Sequence, residues 1–97
     1  MATYVMLFRY TEKGIENVKQ SPSRVNAVKE AFRKLGAEVK DFYLLMGRYD
    51  TMIIAEAPND EVMATAALAL GSMGNVRSET LRAFSEDEFR RIVGAIP

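Results

Sequence analysis

Residues 3–10, TYVMLFRY, decide the fold, because they indicate a strand with apolar side chains on both of its faces. Successive side chains of an extended backbone point to opposite sides. Val5 and Leu7 occupy one side, and the larger residues on the other side are Tyr4, Met6, Phe8 and Tyr10. A sheet with one face in water would alternate apolar and polar residues instead. We therefore expect both faces of this strand to be shielded from solvent.

The same two-sided pattern recurs in residues 51–57, TMIIAEA, which we interpret as the third strand of the chain. The tetrapeptide GRYD, residues 47–50, separates it from a second predicted strand at residues 38–46. So short a connection predicts an antiparallel hairpin. A fourth predicted strand, residues 76–84, is more polar, which favours a position at the edge of the sheet.

The first helix is predicted between the first two strands. Residues 15–20 are expected to form an isolated helical turn, after which Ser21 and Pro22 have the residue types of a helix cap and a first helical position. Apolar residues then recur at intervals of three and four along one face. Gly36 is expected to end the helix, since glycine tolerates the left-handed conformation.

Two more helices are predicted from their N-terminal signals. Asn59 is the expected N-cap of an alanine-rich helix that runs to about residue 70. Ser85 and Glu88 have the spacing of a capping box for a last helix. Its expected buried stripe consists of Phe89, Ile92, Val93 and Ile96.

The element order β-α-β-β-α-β-α predicts a single domain over residues 1–97. Right-handed crossovers allow two interlocked β-α-β units to form one antiparallel sheet with the strand order 4-1-3-2. This is the α+β, ferredoxin-like arrangement. It places the first and third strands in the centre, and these are the two strands with the fewest polar residues.

An apolar second face of the sheet predicts a partner subunit. Each large side chain removed from water is worth roughly 1.5 to 3 kcal/mol, so exposing several of them would cost as much as a small domain's whole stability. We therefore predict a homodimer, or a higher homo-oligomer, whose sheets pack face to face. The alternative is that the last helix covers the second face of its own sheet.

Composition excludes several classes of function. The 97 residues are 48% apolar and 27% charged, as in a soluble globular domain. Cysteine, histidine and tryptophan are all absent. This removes disulfides, thiolate nucleophiles, Cys/His metal sites and histidine-dependent catalytic triads. We expect no metal and no cofactor.

Charge and hydropathy narrow the possible partners. Thirteen basic residues balance thirteen acidic ones, which leaves no basic stripe for a nucleic acid. The longest uncharged stretch, residues 62–76, is shorter than the roughly 20 residues of a membrane span. The N-terminus has no basic leader or cleavage site. We expect a cytoplasmic protein that contacts neither nucleic acid nor membrane.

The topology brings the end of the first strand, the hairpin and the start of the fourth strand to one edge of the sheet. Arginine offers paired donors to a carboxylate or phosphate, and tyrosine offers an orienting hydroxyl. A site for a small polar metabolite is therefore predicted there, with Arg9 and Ser21 close by. Its candidate ligand-binding residues are Tyr10, Arg48, Tyr49, Asp50, Asn75 and Arg77.

Two other interpretations of this edge stay open. Gly47 tolerates a positive φ and Asp50 can accept hydrogen bonds from nearby backbone, so the simpler interpretation is that the tetrapeptide fixes the register of the hairpin. Asp50 is also a candidate general base, with Tyr10 or Tyr49 in proton transfer, in a cofactor-free enzyme with a cleft between sheet and helices. No catalytic residue is assigned.

Several segments resemble the GYD-domain family over essentially the whole chain. The motif GRYD, residues 47–50, is preceded by DFYL at 41–44 and followed by EAPND at 56–60. Further similar segments are ALALGS at 67–72, GNVRSETLRAF at 74–84 and EFR at 88–90. Tyr10 departs from the family pattern, in which tryptophan is more usual at this position.

The resemblance implies a dimeric α/β barrel but no established biochemical function. The effector domains of feast/famine regulators have a similar G-x-Y-D hairpin and bind small amino acids between subunits, although this chain has no helix-turn-helix. Cofactor-free monooxygenases and lyases of similar architecture often use a histidine or tryptophan that this chain lacks. Three hypotheses therefore remain: a metabolite-binding module, a small enzyme, and a structural or protein-interaction role.

Overall fold

A four-stranded antiparallel sheet lies at the centre of the computed structural model, which describes residues 1–97. The strands are β1 (Ala2–Tyr10), β2 (Glu38–Leu44), β3 (Thr51–Ala57) and β4 (Val76–Ala83), and the helices are α1 (Glu12–Glu16), α2 (Ser21–Lys34), α3 (Asp60–Ser72) and α4 (Glu86–Gly94). The order β2-β3-β1-β4 is the predicted 4-1-3-2 counted from the other edge. The α+β, ferredoxin-like architecture is thus confirmed, and the sheet is open, with β2 and β4 at its edges.

The two central strands bury one of their two faces completely. Met6 lies opposite Ile53 in the register of β1 with β3, and both side chains are buried together with Tyr4 and Phe8. The residues between them, such as Val5 and Leu7, belong to the other face and are only half-buried. The single chain therefore has one dry face and one open face.

Two helices cover the dry face of the sheet. Phe32 of α2 is 1% exposed, and α3 contributes Met63, Ala66 and Leu70 to the same core. The small side chain of Ala66 allows the backbone of α3 to approach the strands closely, as the alanine-rich sequence predicts. Gly36 follows α2 with φ of 85°, so the predicted helix end is confirmed.

The start of α3 is fixed to the sheet by side-chain hydrogen bonds. The Asn59 side chain accepts from the backbone N–H of Val62 and caps the helix as predicted. The Tyr4 hydroxyl reaches across from β1 and donates to the Asp60 carboxylate. Burial of the phenol is the main cause that raises the pKa of Tyr4, and the hydrogen bond to Asp60 adds to it.

The segment before α2 differs from the prediction. The expected turn at residues 15–20 is α1 followed by a 3₁₀ turn, Val18–Gln20, which runs directly into α2. Gln20 therefore takes the N-cap position and makes no side-chain cap hydrogen bond. The prediction of Ser21 as the cap is wrong, because its hydroxyl bonds to Tyr10 instead.

The second strand ends two residues earlier than predicted. The backbone N–H of Leu45 donates to the carbonyl of Asp50 at 2.8 Å, which closes the loop of the hairpin. Met46 is fully exposed beyond that bond. The antiparallel pairing of β2 with β3 is as predicted, with an irregularity between Val39 and Asp41.

The last helix does not cover the open face of its own sheet. The predicted capping box is present, and the backbone hydrogen bond from Ser85 is the main cause that lowers the pKa of Glu88. However, the predicted buried stripe is wrong for the single chain. Its side chains are 46–68% exposed, and they are Phe89, Ile92, Val93 and Ile96.

A close backbone contact holds α1 against the loop before β4. The Thr11 N–H donates to the carbonyl of Asn75 at 3.0 Å, and the Thr11 hydroxyl donates to the carbonyl of Gly74. Gly14 is buried beside them, and a Cβ at this residue would lie 1.9 Å from the Asn75 carbonyl oxygen. Only glycine therefore allows this approach.

Replacing Gly14 with alanine is expected to lower the free energy of unfolding by about 1 to 3 kcal/mol, because the added methyl group pushes two backbone segments apart. Gly71→Ala is the matched control, since nothing lies within 4 Å of a Cβ there and alanine favours helix α3. Urea denaturation at one fixed protein concentration measures both. Equal stability of Gly14→Ala and the parent chain would contradict the contact.

Candidate functional site

The predicted site residues lie at one edge of the sheet, as the topology requires. Tyr10 at the end of β1 lies opposite Val76 at the start of β4, and Arg9 lies opposite Arg77. The hairpin loop reaches the same edge, because the backbone N–H of Asp50 donates to the carbonyl of Phe8 at 2.8 Å. Neighbouring residues of a strand face opposite sides, however, so this edge has two surfaces.

Asp50 joins the hairpin to the end of β1. Its carboxylate accepts from the backbone N–H of Tyr10 at 2.8 Å. Together with the Asp50 N–H to Phe8 carbonyl bond, this contact fixes how the loop sits on the strand. Asp50 lines neither the cavity between α2 and the sheet nor the open groove beside it. The observed contacts of Asp50 are therefore those of a residue that fixes the hairpin.

A cluster of charged and aromatic side chains lies on the open face at this edge. We call it the outer cluster; it consists of Arg9, Arg48, Tyr49, Arg77 and Glu79. The Arg9 guanidinium stacks over the Tyr49 ring with 5.0 Å between the guanidinium carbon and the ring centroid. The Arg9 Nε donates to the carbonyl of Arg48 at 3.0 Å. The cluster is thus ordered by contacts between the hairpin and β1.

The Tyr49 hydroxyl donates to the Glu79 carboxylate. This bond is the largest cause that raises the pKa of Tyr49, whereas the positive charges of Arg9 and Arg48 act in the opposite direction. A phenol with a raised pKa stays protonated and serves as a hydrogen-bond donor. It is poorly suited to act as a base in proton transfer.

The remaining two candidate residues face the helices. The hydroxyls of Tyr10 and Ser21 are 2.8 Å apart and hydrogen-bonded. Tyr10 and Asn75 line a cavity of about 130 Å³ between α2 and the sheet, and none of the outer cluster residues lines it. The structure therefore brings Arg48, Tyr49 and Arg77 together on one face, and Tyr10 and Asn75 together on the other.

Sequence reasoning missed two parts of this arrangement. Glu79 is not among the predicted site residues, although its spacing of two residues from Arg77 in a strand already predicts a common face. Arg24 and Thr51 also line the cavity, and neither is among the predicted residues. Arg24 lies in the first turn of α2. The sequence does not indicate that this turn packs next to the end of β1, which only the folded chain shows.

The chain holds no group of three or more Asp or Glu side chains placed to bind a metal ion. None of its helices has the length and apolar character that crossing a bilayer requires.

A family model described as the GYD domain matches residues 4–93. The chain belongs to the GYD-domain family. The hairpin motif at residues 47–50, which holds Tyr49 and Asp50, lies within the matched range.

One relative and two solved structures are similar to this GYD domain over most of its length. A Thermus thermophilus protein named "Glutamine synthetase and cystathionine beta-lyase binding protein" is 34% identical over 84 residues, which is 86% of this chain and 88% of the relative. The crystal structure of TTHA0845 from Thermus thermophilus has a TM-score of 0.57 and 28% identity, and the match covers 88% of this chain and 95% of that chain. A hypothetical protein from Pyrococcus horikoshii, PHS023, has a TM-score of 0.56 at 19% identity over 89% and 93% of the two chains, and is similar in fold alone.

Proposed function

We propose that this chain is a homodimeric, non-catalytic module of the cytoplasm that binds other proteins, metabolic enzymes among them. The Thermus thermophilus relative supports this proposal by its name, because it is described as binding glutamine synthetase and cystathionine beta-lyase. Its match extends over most of both chains, so the likeness concerns the whole fold and not a shared segment.

The observation that carries the proposal is the apolar stripe of α4. Phe89 is 59% exposed and Ile92 is 48% exposed, on a helix whose first turn is fixed by a complete capping box. A nine-residue helix is marginal in water without packing against another surface. Apolar residues at helical spacing on an otherwise charged helix are the usual form of a helix that docks in a groove of a partner.

The open face of the sheet is the second uncovered apolar surface, and we assign it to a second copy of the chain. Val5 lies opposite Ile54 and Leu81 in the register, and Leu7 lies opposite Met52. These side chains form a continuous apolar surface across three strands. A flat face of this kind is self-complementary in a two-fold dimer, so the sheets of two copies shield one another. This leaves α4 to the partner enzyme.

The double variant Phe89→Ser/Ile92→Ser is expected to weaken binding to a partner enzyme by about tenfold or more, because buried apolar anchors carry most of the energy of such interfaces. Biolayer interferometry measures the loss of affinity, with purified glutamine synthetase and cystathionine beta-lyase from the organism that produces this chain. Arg90→Ser/Arg91→Ser on the polar face of α4 is the matched control, with the same introduced residue at two positions of the same helix.

Three results would contradict this proposal in different ways. Failure of the parent chain to bind either enzyme would remove the protein-binding role as we propose it. Equal binding by the two double variants would show that the stripe is not the contact. Dissociation of the homodimer by Phe89→Ser/Ile92→Ser would assign α4 to the second copy instead.

A second candidate function, the binding of a small polar metabolite, is favoured by the charges of the outer cluster. The three arginines of the cluster, Arg9, Arg48 and Arg77, form no ion pair within the chain, and the nearby carboxylates of Glu79 and Asp50 are hydrogen-bonded to Tyr49 and to the backbone of Tyr10. Such an excess of paired donors suits a carboxylate or phosphate ligand. Tyr10 and Asn75 face the helices and would not contact a ligand held there.

Succinate or inorganic phosphate is expected to raise the melting temperature if the outer cluster binds an anion, and Arg77→Ala is expected to abolish the rise. Arg91→Ala is the control, since this side chain is exposed on α4 and far from the hairpin in sequence. Differential scanning fluorimetry measures the shift. An unchanged melting temperature of the parent chain in both anions would remove this candidate.

A further inference from the structure

The cavity between α2 and the sheet has walls that are mainly apolar. Eleven of its sixteen lining residues are hydrophobic. Val25 and Val28 of α2 form one wall, and Phe8 and Phe42 from the sheet face them. Its volume is about 130 Å³. An engineered apolar cavity of about 150 Å³ in another protein holds a benzene molecule, so this space accommodates one small ring or a branched alkyl group.

One end of the cavity is polar. Arg24 lies there, and its guanidinium is 3.5 Å from the carbonyl oxygen of Gly14. Gly14 in turn touches Asn75 and the ring of Tyr10, since a Cβ at Gly14 would lie 1.9 Å and 3.1 Å from their nearest atoms. These contacts place Arg24, Asn75 and the hydrogen-bonded pair of Tyr10 and Ser21 around the same end of the cavity.

The Arg24 guanidinium has no acidic partner in the chain. The ion pairs of the chain involve Arg33, Lys40, Arg82 and Arg90, and none involves Arg24. Arg24 is nevertheless partly buried, whereas Lys29, the other basic residue that lines the cavity, is exposed. A partly buried cation without an anion has donors to spare for a ligand, and a guanidinium offers them in the paired geometry that matches a carboxylate.

A threonine adds to the polar residues that line the cavity. Thr51 is only 5% exposed and lines the cavity. It also lines the open groove beside the cavity, so this residue lies where the two spaces meet.

We propose that this cavity binds a small carboxylic acid whose apolar part is about the size of one ring. The apolar part occupies the space between Val28 and Phe42, and the carboxylate accepts hydrogen bonds from Arg24. An open groove lined by Val18, Pro22 and Leu44 continues the cavity towards solvent and provides the route of access. This site is separate from both α4 and the outer cluster, so it is independent of the proposed function.

Benzoate is the probe for this site, with benzamide and acetate as controls. Benzamide has the same ring without the charge, and acetate has the charge without the ring. Benzoate at millimolar concentration is expected to raise the melting temperature, and each control is expected to produce a clearly smaller shift. Isothermal titration calorimetry gives the dissociation constants.

Two variants and one matched control locate the binding. Arg24→Gln is expected to weaken benzoate binding by about tenfold or more, since a charge-assisted hydrogen bond to a carboxylate is lost. Arg33→Gln is the matched control, because Arg33 is an exposed residue of the same helix. Val28→Phe fills the apolar end and is expected to reduce binding while Arg24 stays in place. Contacts between benzoate ring protons and valine methyl groups are expected in NMR spectra of the parent chain and of Arg33→Gln.

The proposal fails if benzoate does not bind to the parent chain, or if benzamide binds as tightly as benzoate. It also fails if Arg24→Gln binds like Arg33→Gln. Loss of benzoate binding in Arg77→Ala, with retention in Arg24→Gln, would place the ligand in the outer cluster instead. If Arg77→Ala still binds benzoate and Arg24→Gln does not, the result supports binding in the cavity.

Discussion

The open apolar face of the sheet is the constraint on which the rest of this structure depends. Helices α2 and α3 shield one face of the central strands, and the opposite face keeps Val5, Leu7 and Ile54 only half-buried. Burying apolar surface stabilises a protein by roughly 25 cal/mol for each Å², so a face of this size represents a substantial share of a small domain's stability. A second copy is the simplest cover, since α4 leaves its own sheet uncovered. Dimerisation would then complete the hydrophobic core and not merely join two finished subunits.

The contacts of Asp50 explain the structural role of the GYD motif. Two hydrogen bonds connect Asp50 to β1, one through its carboxylate and one through its backbone N–H. They hold the hairpin loop against the end of the central strand. Tyr49 is thereby presented on the open face, where its ring lies under the Arg9 guanidinium. The motif thus fixes the hairpin and also places polar groups at the rim of the face that we assign to the dimer.

Local sequence signals predicted most of the fold. The bounds of β3 are those of the predicted strand, and the caps at Asn59 and Ser85 are both present, because each signal acts within a few residues. One error arose where a distant contact decides. The Ser21 hydroxyl bonds to Tyr10 on β1 instead of capping α2, and no local pattern contains that contact. The other is a boundary: β2 ends at Leu44, although Leu45 still bonds to Asp50 across the hairpin.

For the candidate site, the predicted topology gave the correct edge of the sheet, but the prediction treated all six residues as one site. The alternation of side chains along a strand already implies two groups, because it places the neighbours Arg9 and Tyr10 on opposite faces. The cavity could not be predicted from sequence, because its walls come from α2, the sheet and the loop before β4. Two basic residues of α2, Arg24 and Lys29, line it without an ion pair, and only the folded chain shows that Arg24 is the partly buried one.

Sedimentation equilibrium of the purified chain at micromolar concentration is the most direct test of the central claim. We expect twice the mass of one chain, because two open faces shield each other. We also expect Ile54→Arg, which places a charge in the middle of that face, to shift the equilibrium towards single chains. A stable, well-folded parent chain with the mass of one copy at this concentration would contradict the account.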